Sequence, residues 1–405
     1  MLDNLKKIIT EFHYSGIIVS VIFLALASFH FLQGPVSSPD TNTFSRWGDL
    51  LLSVDFNLLD YYSNNNFVIP SYFYTIPIMI VASLKTLFGD AWKESFLFLN
   101  LLLLCGSLAI SYRILRFLVV PPLLSALALA MLMVSDAYLV WPRYVLTDTM
   151  FATSVLVCFF LLGFKFHAQT SGGIRFTFID FCFLIVVGCM VFTRPSATPY
   201  IVGLLSSWSA LFFGFDRSLF TFRNVVIAGG CVLLVGSVVS STLYWAQLFT
   251  SFDIRFVAYL AEKVSAGMVV LARTETWAVP PTNWLEIFKI FWLKALYFWA
   301  PWAEAFSPTH KLLNGCFWLF CAGAIFGWPF VKTNLSPFQR YFLKSLFITA
   351  VLVTTFHAAT MVDFDWRYRY PLILPVLIAA SCLYWQIFVS IKRTRNLKKA
   401  SNAVV

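Results

Sequence analysis

The feature that most constrains this chain is an apolar run of about 17 to 21 residues that recurs from one end of the sequence to the other. An α-helix rising about 1.5 Å per residue needs roughly 20 such residues to cross a hydrocarbon core of about 30 Å, so each run has the length of a transmembrane span. Composition agrees. Apolar residues make up 60% of the chain and charged residues 12%, against about 45–50% and about 25% in an average soluble domain, and that much apolar surface needs lipid as its solvent.

About ten spans are predicted: Ser15 to Leu32, Ser95 to Tyr112, Phe117 to Ser135, Thr149 to Phe164, Phe176 to Phe192, Ala197 to Phe213, Val225 to Leu243, Leu312 to Phe330, Ser345 to Met361 and Pro371 to Ile391. The first is too long for a signal peptide and lacks a small-residue cleavage site before Gly34, so it reads as a retained helix. All eight cysteines fall inside these runs, where they act as small apolar residues rather than as a disulfide or metal framework. The expected fold is a single all-α membrane domain, residues 1–405, with no internal repeat and no separate soluble unit.

Charge sets the expected orientation. With ten spans, Arg113, Arg116, Lys165, Arg175, Arg217 and Arg223 fall in short cytoplasmic loops while Arg143 and Arg194 lie outside. Counting Ser71 to Gly89 and Ile287 to Ala305 as further spans would turn that pattern inside out, and both stretches are interrupted by lysines (Lys85; Lys289 and Lys294). They read instead as helices lying in the outer interface. Both termini are then cytoplasmic, and two large outer segments, 34–94 and 244–311, are where function is expected to concentrate. The net charge of +10 includes Lys392, Arg393, Arg395, Lys398 and Lys399 in a tail (392–405) after the last span. That tail is an anchor for anionic lipid, and no nucleic-acid partner is implied.

Four clusters on the outer face could carry chemistry. Asp40 follows the first span in Ser38-Pro39-Asp40-Thr41, where a carboxylate near the bilayer could take a proton from an acceptor hydroxyl. Thr147-Asp148 opens the fourth span, with Asp136 and Arg143 nearby; it also fits a helix N-cap. Arg194-Pro195 forms a turn between the fifth and sixth spans, and its guanidinium could grip a phosphate or pair with an outer aspartate. Last, Asp363-Phe364-Asp365-Trp366-Arg367-Tyr368-Arg369-Tyr370 puts two arginines outside, against the positive-inside trend, while Trp366 and Tyr370 suit an interfacial aromatic belt. The five histidines have no metal-ligand spacing, and no glycine-rich phosphate loop or Ser-His-Asp arrangement is present.

In order, these elements are Pro39-Asp40, Tyr72 to Pro77 with Leu87-Phe88-Gly89, Thr147-Asp148, Arg194-Pro195, and Arg369-Tyr370 with Pro375. The series resembles the C-type (GT-C) polytopic membrane glycosyltransferases, in the branch similar to protein mannosyltransferases and aminoarabinose transferases, over residues 10–215 and at the last motif. The resemblance implies transfer of a sugar from a polyprenyl-phosphate carrier to an acceptor hydroxyl of a lipid, glycan or protein outside the cytoplasm, with inversion; short loops, the basic tail and no targeting sequence beyond the first span point to a bacterial inner membrane. It implies catalytic roles for Asp40 and Asp148, donor-phosphate binding by Arg194, Arg369 and Arg367, and an acceptor or pocket role for Asp136, Arg143 and Tyr72. Asp148 matches a position that assists a divalent metal in some members and not in others, which leaves the metal open. Phe44 stands where a tyrosine is frequent and Thr41 where an acid is frequent, so the acceptor side departs from the pattern.

Rival readings are a lipid-glycan flippase or secondary transporter, expected to place ionisable groups along a path through mid-membrane, and an outer-face glycan polymerase or ligase using His310 and the 244–311 segment. A structural membrane protein would need no outer-face charge of this kind.

Overall fold

The computed structural model describes residues 2–64, 71–169, 176–212, 284–302, 306–331, 334–359 and 366–402. The seventh expected span, Val225 to Leu243, and most of the 244–311 segment lie outside the described residues, as do Asp363 and Asp365.

Fourteen helices are labelled here in chain order: α1 (Leu2–Gln33), α2 (Pro39–Leu52), α3 (Leu58–Asn64), α4 (Thr75–Phe88), α5 (Trp92–Phe117), α6 (Pro122–Ala130), α7 (Asp136–Val140), α8 (Asp148–Gln169), α9 (Phe178–Val191), α10 (Thr198–Phe212), α11 (Trp284–Phe298), α12 (Pro308–Val331), α13 (Pro337–Ala359) and α14 (Tyr370–Asn402). No β-strand occurs among the described residues; a single parallel bridge joins Val36 to Tyr144. Among the described residues, six helical stretches are long and apolar enough to cross a membrane, or seven if the pair Pro122–Val134 and Asp136–Arg143, bent by 71°, counts as one broken span. The chain is a multi-pass membrane protein.

Two expected boundaries shift for local reasons. The run from Phe117 to Ser135 is not one helix: Phe117 ends α5, Val119 takes a positive φ of 63°, and α6 starts only at Pro122, where a proline fits the first turn. The stretch Thr75–Phe117 is helical over 43 residues, which would reach roughly 64 Å if straight, about twice the membrane core. Gly89, at φ 54° and ψ −126°, breaks it, and α4 packs back against α5. At the other end of the chain the basic tail extends α14 helically to Asn402.

The bundle core joins α1, α5, α6, α8, α10, α12, α13 and α14, with α8 at its centre through Phe151, Val155, Phe159 and Leu162. Glycines set the closest approaches. A Cβ on Gly203 of α10 would collide with the backbone of Thr349 on α13, and side-chain atoms at Gly323 and Gly327 of α12 would meet Tyr384 and Ile387 of α14. Small residues of this kind let membrane helices pack backbone to backbone where lipid supplies no hydrophobic drive.

A second core lies beside the first, built from α2, α4, the start of α5 and residues Val145, Leu146 and Met150. The α2 helix is amphipathic: Phe44, Trp47 and Leu51 are buried while Asn42, Arg46 and Asp49 are exposed. Gly48 lets it sit directly on Val81 of α4. Its N-terminus is fixed by a capping box in which Ser38 accepts from the Thr41 amide and Thr41 Oγ1 from the Ser38 amide, with Pro39 in the first helical position. This assembly carries Asp40 to the mouth of α8.

Candidate active site

Two segments far apart in sequence are clasped beside the site. The Val36 amide donates to the Arg143 carbonyl (2.9 Å) and the Val145 amide to the Val36 carbonyl (3.3 Å). Thr41 Oγ1 adds a bond to the Val145 carbonyl at 3.2 Å, and the Asn100 side chain donates to the carbonyls of Pro142 and Tyr144. These bonds bring the start of α2 against the start of α8.

Asp148, at the first position of α8, forms an ion pair with Arg194, which follows α9; their side chains are 2% and 3% exposed. Burial works against the charge of Arg194, and the carboxylate of Asp148 with the neighbouring tyrosines outweighs it, raising its pKa further. Among the described residues Arg194 Nη2 has no hydrogen-bond partner, so a buried, permanently charged guanidinium retains an unused donor. The Ile76 amide donates to the Phe192 carbonyl, tying the start of α4 to the same turn.

Asp40 pairs with Arg367, Oδ2 to Nη1 at 2.9 Å, in a partly exposed setting. Arg367 lies in a 3₁₀ turn, Trp366–Arg369, that leads into α14. The two ion pairs meet at Tyr368: the Arg194 guanidinium lies over its ring at 4.7 Å from the centroid, and that of Arg367 at 5.5 Å. Tyr368 stacks on His357 of α13 (4.5 Å, 18°), which stacks in turn on Phe298 of α11 (5.5 Å, 12°). Its backbone carbonyl accepts from the Tyr200 hydroxyl.

Asp40, Asp148, Arg194 and Arg367 therefore converge. Arg369 does not join them: it donates to the carbonyls of Phe298 and Ala300, both at 2.7 Å, and lies over Trp318 at 4.8 Å, so it closes the end of α11. Arg143 is likewise spent on backbone, donating to the carbonyls of Gln33 and Gly34 where α1 ends. Asp136 sits apart, within the fields of His310 and Arg369. The side chain of Tyr72 lies outside the described residues.

Two tyrosines that the sequence did not single out do enter the site. One is Tyr368, whose ring lies under Arg194 and Arg367. The other is Tyr74, packed on Phe44 and Trp47 and within the fields of Arg194, Tyr368, Arg367 and Asp40. Burial pushes its hydroxyl up to about 12, against the pull of Arg194, so it remains a proton donor at neutral pH.

Among the described residues no three His, Cys, Asp or Glu side chains gather in one place, and Asp148 faces a guanidinium rather than a second ligand. What the arrangement offers is a half-open carboxylate beside two fixed cations, one of them with a spare donor. No family model, curated protein or solved structure matches the chain.

Proposed function

We propose that this chain is a polytopic glycosyltransferase that moves a sugar from a polyprenyl-phosphate donor to an acceptor hydroxyl on the non-cytoplasmic side of a cell's inner membrane. The supporting observation is the meeting of Asp40, Asp148, Arg194 and Arg367, four residues from distant parts of the chain, at one ring. In this reading the termini are cytoplasmic, the bundle has about ten spans, and α4 is an interfacial helix. At 14 residues, or roughly 21 Å, α4 is short for a membrane core of about 30 Å.

Asp40 acts as the base. Its carboxylate accepts the proton of the acceptor hydroxyl as that oxygen attacks the anomeric carbon from the face opposite the phosphate, which gives inversion. The bond from the anomeric carbon to the phosphate oxygen breaks, and Arg194 with Arg367 meets the charge left on the carrier phosphate. Asp148 holds Arg194 in place. With Arg369 committed to the end of α11, it has no direct part in this scheme.

A transport path is less well supported. The other buried ion pair, Lys165 with Asp180 at 2.7 Å, lies 17 residues along α8 from Asp148, roughly 26 Å away. Asp180 is also satisfied by Thr177 and Trp208. Among the described residues no ion pair joins these two.

The test is incubation of the purified protein with a panel of polyprenyl-phosphate sugars and acceptors, scored by release of the bare carrier. Release that depends on Asp40 supports the reading, and no release with any donor in the panel overturns it.

A further inference from the structure

Two guanidinium groups held close together repel each other, and the structure places Arg194 and Arg367 within each other's field. Their carboxylate partners lie on different helices, Asp148 on α8 and Asp40 on α2. What the two arginines share is the ring of Tyr368, which carries negative charge on its π face.

That ring is itself held from two directions. His357 and Phe298 stack beneath it in a nearly parallel column drawn from α13 and α11, and Tyr200 of α10 grips its backbone carbonyl. Elements from three parts of the bundle thus hold this one residue.

We propose that Tyr368 is a positioning residue: its ring is the platform that holds Arg194 and Arg367 as a preset pair for one phosphate group. This rests on the glycosyl-transfer reading. Without the platform each arginine would still have its carboxylate, but the two would no longer be held at one place. A fixed ring also spares the ligand the cost of gathering two mobile cations on binding.

The test replaces Tyr368 in the full-length protein by phenylalanine and by 4-fluoro-, 3,5-difluoro- and pentafluorophenylalanine, a series of nearly constant shape in which the negative face is progressively withdrawn. Binding of farnesyl phosphate, an isoprenoid monophosphate, is measured alongside thermal unfolding. Tyr368→Phe should bind within about twofold of the native chain, and affinity should fall stepwise to about tenfold weaker at full fluorination. Phenylalanine rescue with a graded fall is not the behaviour of a residue that only fills space. Equal affinity across the series overturns the platform. Should the pentafluoro chain melt early, the two partly fluorinated chains decide the same question. A native chain that does not bind farnesyl phosphate brings down the glycosyl-transfer reading and the platform with it, a result distinct from a flat series.

Discussion

Arg367 reaches Asp40 across 327 positions of sequence and donates to its carboxylate at 2.9 Å. That contact joins the turn before the last helix to the first helix after α1, and it places the proposed base beside a cation that can also serve the leaving phosphate.

Replacing Asp40 with asparagine should lower carrier release by about 10²- to 10⁴-fold, the usual contribution of a positioned general base. Because the side chain is about half exposed, folding should change by no more than about 0.5 kcal/mol. Turnover of the purified variant, with thermal unfolding beside it, checks both halves. Native turnover would remove Asp40 from the chemistry.

Arg194 and Asp148 should behave in the opposite way. Cutting either buried side chain alone leaves the other charge without its partner, at a cost of about 3–5 kcal/mol, whereas Asp148→Asn combined with Arg194→Met should recover most of that stability. Thermal unfolding of the two single variants and the double variant checks this. The double variant should remain unable to bind the donor phosphate.

Arg367→Gln is expected to leave stability within about 1 kcal/mol, since its pair with Asp40 is partly open to solvent. Its effect should appear as a higher KM for the lipid-linked donor. Steady-state kinetics over donor concentration, with unfolding measured in parallel, would refute this if KM were unchanged.

Gly203→Ala is a packing test remote from the chemistry. The added methyl would meet the Thr349 backbone at 2.8 Å, so α10 and α13 must move apart, at a cost of about 1–3 kcal/mol. Unfolding midpoints measure the loss, and donor affinity in the folded fraction should stay near native.

Much of this arrangement was legible in sequence because lipid imposes simple rules. Helical runs follow from length and apolarity, and Asp40, Asp148 and Arg194 stood out because an ionisable residue at a span end needs a reason to be there. The roles of individual arginines were less legible. Arg367 and Arg369 are two residues apart, yet one meets a carboxylate and the other closes α11, and only the turn at Trp366–Arg369 separates their directions. Lys165 looked like a loop cation; it is buried against Asp180, a pairing that depends on α8 and α9 lying side by side. Tyr368 had no signal beyond its place between two arginines, because aromatic residues are common at a membrane interface whether or not they have a further role.

The Val36–Tyr144 bridge sets a register. Asp40 follows Val36 by the same interval at which Asp148 follows Tyr144, and because the bridge is parallel, both acids leave the clasp in the same chain direction. Their separation is thus counted out by two short connectors of matched length. Adding or removing one residue in either connector would put one acid out of step with the other.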